Sequence, residues 1–168
     1  DRFMAAANIS VARLRELLNF CPDTGVFTWR FSRKGRKGLA GAQAGTVDRK
    51  GYRYICLDRN KAGAHRLAWL YVHGTLPSDE IDHINGETCD NRIENLRDVS
   101  GGVNMQNLRS PRSTNKVGLL GVTQVGKRFR ATIRLNYVAK YLGMYDTPEQ
   151  AHDAYLNAKR LLHVGCTI

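Results

Sequence analysis

The acidic residues of this chain are concentrated in one short segment, and this distribution constrains the possible folds more than any other sequence feature. Residues 79–98 contain seven acidic side chains against two arginines, a net charge of −5, although the whole chain has a formal net charge of +11. Segments 30–66 and 112–168 carry net charges of +9 and +6. A chain of 168 residues holds one ordinary core or two or three small modules, and this segregation of charge favours modules.

The basic flanks predict a polyanionic partner. Lysine and arginine gain free energy when they displace condensed counterions from phosphates, so we expect nucleic acid, with an anionic membrane as a distant alternative. No apolar run approaches the roughly 20 residues that a membrane helix needs, and the first ten residues lack the charged-then-apolar order of a signal peptide. We therefore expect a cytoplasmic protein. The widely spaced cysteines predict reduced, mostly buried thiols: Cys21, Cys56, Cys89 and Cys166.

The N-terminal half combines short helices and strands with a basic loop. Apolar periodicity predicts a helix within residues 8–20, capped by Ser10, a hairpin strand over 26–31, a strand over 51–58 and a helix over 64–74. Trp29 and Trp69 are interpreted as core anchors. Residues 32–51 are too poor in large apolar groups to pack. The glycine-interleaved cations of that loop either contact a DNA backbone or are simply solvated: Arg33, Lys34, Arg36 and Lys37.

His65 opens the second predicted helix beside Arg66. A histidine at the start of an amphipathic helix is more often a packing group than a ligand, so we favour that interpretation. The alternative is a phosphate contact shared with Arg66.

The C-terminal third follows a polar, turn-rich stretch at residues 109–117, which predicts a domain boundary. Three strand-like runs, 119–125, 128–135 and 139–146, precede a helix from Thr147 to about His163. Alternation along the middle run predicts one polar face, formed by Arg128, Arg130, Thr132 and Arg134, and one apolar face. Such a sheet can enter the major groove of DNA, with Gln124 joining the polar face. The alternative is an ordinary exposed strand.

The acidic segment contains a candidate metal and base site. Asp82 and His83 are adjacent, Asn95 follows His83 by 12 residues, and Asn104 follows Asn95 by 9. Residues 80–84 and 93–99 suit two antiparallel strands, after which Ser100 caps a helix that carries Asn104. Phosphodiester cleavage requires a base for water and a hard divalent cation. We predict His83 as the base, Asp82 and Asn104 as ligands of a magnesium-like ion, and Asn95 as the residue that holds the loop and fixes the His83 ring.

The run IDHINGETCDNRIENLRDVSGGVNMQN, residues 81–107, resembles the HNH (ββα-metal) nucleases, specifically the homing endonucleases of phages and introns whose third signature position is Asn. The segments DTGVFTWR, GYRYICL and HRLAWLYVHGTLPSDEIDHING resemble the part that precedes the finger in those proteins. Residues 121–161 are similar to an Apetala-two/ERF-type DNA-binding domain. The resemblance implies that His83 is the general base, Asn95 the structural middle position, and Asp82 and Asn104 the ligands of one Mg²⁺ or Mn²⁺ ion.

We therefore expect an α+β fold with a ββα-metal HNH finger, an N-terminal α/β extension, and a C-terminal three-stranded antiparallel sheet packed on one helix. The expected domains are 1–50, 51–111 and 112–168. The expected function is site-specific, metal-dependent endonuclease activity on duplex DNA, with nicking by a monomer that needs neither a membrane nor a protein partner, in the host cell of a phage or mobile element. The alternatives are a non-catalytic DNA-binding protein, such as a regulator or integrase-arm-like module, and an RNA-directed or structure-specific nuclease.

Overall fold

The computed structural model describes residues 9–32 and 39–168. It divides into two compact units, one up to Val99 and the other from Ser100 to Ile168. The short helix that carries Asn104, Gly101–Gln106, therefore belongs to the second unit. The division into 1–50, 51–111 and 112–168 remains a prediction.

The described part of the first unit opens with a helix and a hairpin, α1 (Val11–Leu17), β1 (Leu18–Cys21) and β2 (Val26–Trp29). Ser10 caps α1 by accepting a hydrogen bond from the Arg13 amide at 3.1 Å, as predicted. The predicted helix is too long, because the chain becomes extended at Leu18 and pairs with Trp29. Leu18 and Phe20 are buried while Asn19 and Cys21 are exposed, so strand alternation determines the structure there.

The rest of this unit's core is formed by a second sheet and a helix, β3 (Thr46–Val47), β4 (Arg53–Leu57), β5 (Asn60–Gly63) and α2 (Ala64–His73). The sequence predicts β4 and α2, whereas β3 and β5 were not predicted. Ile55, Leu57 and Leu67 are fully buried, and Trp29 and Trp69 pack at the edge of this core. Burial of these apolar side chains supplies the main driving force for folding of the unit.

The acidic segment forms an antiparallel pair, β6 (Glu80–His83) and β7 (Leu96–Val99). In the register, Asp82 lies opposite Arg97 and His83 opposite Leu96. The predicted second strand over 93–99 is partly wrong, because Ile93–Asn95 form a 3-10 turn. The Asn95 side chain bonds to the loop between the strands, which fixes this residue outside the ladder.

The second unit contains α3 (Gly101–Gln106), β8 (Val122–Val125), β9 (Arg128–Leu135), β10 (Val138–Tyr145) and α4 (Pro148–Leu162). The three strands form an antiparallel sheet in the order β10-β9-β8, and α4 packs on it. Ser100 and Thr147 cap the two helices through their hydroxyls. Val122, Ala131 and Ala151 are the buried centre of this core. The predicted three-stranded sheet with one helix is confirmed.

Two observations bear on expectations that were drawn from composition. All four cysteines are free, but Cys21, Cys56 and Cys89 are exposed and Cys166 is half-buried, so the expectation of buried thiols is wrong. Along residues 9–32 and 39–168, no helix has both the length and the apolar character needed to cross a membrane.

Candidate active site

Asp82 and His83 lie at the end of β6, where the chain leaves the strand. Their exposed fractions are 5% and 4%. The His83 carbonyl accepts a turn hydrogen bond from the Gly86 amide at 2.9 Å. Adjacent residues in a regular strand point to opposite faces, so a strand that ends at His83 is the geometry that a shared site requires.

The buried Asp82 carboxylate is compensated by Arg97. Asp82 Oδ2 accepts hydrogen bonds from Arg97 Nε at 2.9 Å and Nη2 at 2.6 Å. An isolated buried carboxylate would be strongly destabilising, whereas a charge-assisted pair of bonds offsets much of that cost. The Arg97 bonds therefore hold the Asp82 carboxylate in place inside this unit.

The His83 ring is held by Asn91. His83 Nε2 lies 3.2 Å from Asn91 Oδ1, and Asn91 Nδ2 donates to the Cys89 carbonyl at 3.3 Å. The second bond fixes the orientation of the amide, and an amide oxygen can only accept, so the proton of this bond is on Nε2. The lone pair of the neutral ring is then on Nδ1.

The electrostatic surroundings favour the neutral imidazole. Burial lowers the pKa of His83 below its ordinary value, and the Asn91 bond and the Asp82 and Asp90 charges raise it only in part. A neutral histidine near pH 7 is the form that can accept a proton from water.

Asn95 ties the loop between β6 and β7 together. Its Oδ1 accepts from the Asn85 amide at 2.9 Å, and its Nδ2 donates to the Asp90 carbonyl at 2.8 Å. The sequence predicts that Asn95 also fixes the His83 ring, whereas the structure gives that contact to Asn91. The same loop contains a bond from Asn85 Nδ2 to Asp90 Oδ2 at 2.7 Å, and the Arg92 guanidinium lowers the pKa of Asp90 to about 2.

The aromatic rings of His65 and Tyr52 lie next to the His83 ring. The ring centroid of His65 lies 5.4 Å from that of His83, and Tyr52 lies 6.0 Å from His83 and 5.6 Å from His65. Burial, with smaller contributions from His83 and Arg66, lowers the pKa of His65 to about 3. His65 is thus a neutral packing group, in line with the favoured interpretation. Arg66 donates to the Asp79 carbonyl at 3.1 Å, and its contact with DNA remains a prediction.

Asn104 lies in α3 of the second unit, where its backbone N–H donates to the Ser100 carbonyl at 3.0 Å. Its pairing with Asp82 remains a prediction. Among residues 9–32 and 39–168, no group of three or more His, Cys, Asp and Glu side chains is arranged to hold a metal ion. The predicted pair contains one carboxylate and one amide oxygen. These oxygens suit Mg²⁺ or Mn²⁺, whose remaining positions are usually taken by water and phosphate.

A comparison with known families bears directly on this segment. Residues 62–106 match the HNH endonuclease family model. The match spans α2, both strands and α3, and it includes Asp82, His83, Asn95 and Asn104. It supports an HNH nuclease and suggests a hydrolase that acts on DNA. Searches of curated proteins and of solved structures gave no match to the chain.

Outside the HNH match, the sheet of the second unit presents the predicted basic face. Arg128, Arg130 and Arg134 are exposed along β9, while Ala131 and Ile133 are buried on the other face. Arg128 is partly engaged within the unit, because its Nε donates to Asp146 Oδ1 at 2.9 Å. Arg130 and Arg134 are therefore the stronger candidates for DNA contact.

The register changes the composition of this face. Thr123, not Gln124, lies opposite Arg130, and Gln124 lies opposite Phe129 on the helix-facing side. Tyr141 lies opposite Thr132 and is 59% exposed, an aromatic that sequence reasoning did not single out. The exposed Gln124 nevertheless lines a groove of about 880 Å³ with Arg112, Lys116, Thr132 and Arg134. The cations predicted in the basic loop, Arg33, Lys34, Arg36 and Lys37, lie outside the described residues.

Proposed function

We propose that the chain is a site-specific, metal-dependent homing-type DNA endonuclease that hydrolyses phosphodiester bonds in duplex DNA. The observation that carries this proposal is the buried Asp82–His83 pair at the end of β6, inside the segment that matches HNH endonucleases. A buried carboxylate beside a neutral, oriented imidazole combines a hard oxygen ligand with a base. A purely DNA-binding module needs neither.

In the proposed reaction, His83 Nδ1 takes a proton from the attacking water while Asn91 holds the ring through Nε2. Asp82 and Asn104 would hold one Mg²⁺ or Mn²⁺ ion, whose charge would stabilise the scissile phosphate and the leaving oxygen. Asn95 keeps the loop closed around the base. The two bonds from Arg97 would hold the Asp82 carboxylate in place.

We assign DNA contact to the basic surfaces. Arg130, Thr132 and Arg134 would contact base edges or phosphates from the sheet, with weaker roles for Arg128 and Gln124. In the first unit, Arg66 and the cations predicted at residues 33–37 would contact the phosphate backbone of the DNA. Double-stranded DNA is the proposed partner, in the cytoplasm of a cell that hosts a phage or mobile element.

A plasmid assay tests the proposal. Supercoiled plasmid is incubated with the full chain in Mg²⁺, in Mn²⁺ and in EDTA, and the reaction is repeated with excess unlabelled duplex DNA or RNA. We expect cleavage only with the divalent ions, and competition by duplex DNA far more than by RNA. Binding without cleavage under every metal condition would support the non-catalytic alternative instead.

We expect the protein to nick one strand when it acts as a monomer. The sequence provides one Asp82–His83–Asn104 set, and one such set presents one base and one ion to one phosphate. Cutting both strands would require a second protomer or a rearrangement across the duplex. The measurement is the order of products from a plasmid with one target site, at concentrations where sedimentation shows monomer. Open-circle DNA should accumulate first, and linear product without that precursor would contradict the prediction.

Asn91 is expected to be a positioning residue for the base. Asn91→Ala removes the acceptor of the His83 Nε2 bond, so we expect kcat to fall about 10- to 100-fold with unchanged DNA affinity in EDTA. Asn91→Asp retains an acceptor oxygen and should recover part of the rate. Wild-type kcat in Asn91→Ala would exclude this role.

A further inference from the structure

Helix α3 is bound on one side by a segment near the end of the described chain, Gly165–Thr167. The Gly165 amide donates to Gln106 Oε1 at 2.9 Å. The Thr167 hydroxyl donates to Asn107 Oδ1 and accepts from Arg109 Nη2 at 2.7 Å. Asn107, at the end of α3, is 6% exposed. These bonds connect the last turn of α3, and the residues that follow it, to Gly165 and Thr167.

The approach of this segment to α3 is close. A Cβ atom at Gly165 would meet the Val103 carbonyl oxygen and would lie 3.0 Å from Val103 Cγ1 and 3.1 Å from Gln106 Cβ. Only a residue without a side chain fits there without displacing the helix. Lys159 of α4, itself 1% exposed, adds a second tie by donating to the Leu108 carbonyl.

α3 needs such support. It has six residues, and the first two are Gly101 and Gly102. None of the six is buried. Glycine is among the weakest helix formers, and helices this short are not stable alone. Its N-cap bond, from the Val103 backbone amide to Ser100 Oγ, is 3.4 Å long. Order in α3 therefore depends on its external contacts.

We propose that Gly165–Thr167, which we name the strap, positions α3 and thereby holds Asn104 at the geometry that metal binding requires. The inference rests on the proposed function, because it takes Asn104 as a metal ligand. It goes further by making cleavage depend on the unit that contains the sheet, and not only on β6 and β7. Loosening the strap should weaken metal use before it weakens DNA binding.

A matched pair of substitutions tests the strap in the full chain. Thr167→Val keeps the shape of the side chain but removes the hydroxyl, whereas Thr167→Ser keeps both hydroxyl bonds. For the valine variant we expect the Mg²⁺ concentration for half-maximal cleavage to rise about two- to tenfold, with DNA affinity in EDTA unchanged. Hydrogen exchange of the α3 amides should become faster by a similar factor. The serine variant should behave as wild type.

Gly165→Ala provides a second, steric disturbance at the same contact, and should produce the same two changes. Wild-type Mg²⁺ dependence and wild-type α3 exchange in the valine variant would overturn the proposal. So would a loss of DNA affinity equal to the loss of cleavage, because the strap would then serve DNA binding alone. A wild-type protein without any metal-dependent cleavage would overturn the proposed function instead, and the exchange measurement would still decide whether the strap holds α3.

Discussion

The His83→Ala variant is expected to lose metal-dependent cleavage by about 10²- to 10⁴-fold, the usual contribution of a positioned general base. DNA affinity measured in EDTA should remain near wild type, because phosphate binding comes from the basic surfaces and not from the buried imidazole. The measurement is the single-turnover cleavage rate beside a binding titration in EDTA. A suitable control is His73→Ala, since His73 is an exposed histidine at the end of α2.

The companion variant should be Asp82→Asn rather than Asp82→Ala. Asp82 accepts two bonds from Arg97, so alanine would remove the acceptor of both bonds from a half-buried guanidinium and would destabilise the unit. Asparagine retains an acceptor while it removes the charge that the metal ion needs. We expect the same loss of cleavage with an unchanged fold by circular dichroism. Full activity in either His83→Ala or Asp82→Asn would contradict the assigned roles.

The second large effect is expected from the sheet. Replacing Arg130 and Arg134 with glutamine should lower affinity for the target about tenfold or more per residue, and should broaden the choice of site if either arginine contacts a base. Lys140→Gln is the matched control, because Lys140 is exposed but pairs with Ile133 on the helix-facing side. The measurement is affinity for target and unrelated duplexes over a series of salt concentrations. Equal effects in all three variants would indicate unspecific charge attraction only.

Deleting residues 112–168 is a less informative experiment. The deletion would remove the arginine face, but it would also remove the strap and Lys159, which bind α3 and Leu108. We therefore expect such a truncated chain to lose metal-dependent cleavage as well as site preference. Residual nicking with blurred site choice would indicate that α3 is ordered without the strap.

Local chemistry made several elements predictable from sequence. Ser10, Ser100 and Thr147 each cap the helix that follows, because a hydroxyl beside the first-turn amides acts within a few residues. Alternation in β9 was predictable for the same reason, since strand faces have a period of two. The strand around Asp82 and His83 was predicted over residues 80–84, and it ends one residue earlier, at His83.

Contacts between distant residues were not predictable. Asn91 is one of several asparagines in a loop, and only the folded loop shows that it bonds to His83 while Asn95 bonds to backbone. The face of Gln124 depends on the pairing register, and a shift of one residue reverses every side chain. The strap joins residues about 60 apart through a glycine and a threonine that form no recognisable motif.

The most direct test of the central claim compares wild type and His83→Ala on one end-labelled duplex, under single-turnover conditions, with Mg²⁺ and with EDTA. We predict cleavage by wild type with Mg²⁺ alone, and a rate at least about 10²-fold lower for His83→Ala at equal occupancy of the DNA. Equal rates for the two proteins, or cleavage by wild type in EDTA, would contradict a metal-dependent nuclease centre built on Asp82 and His83.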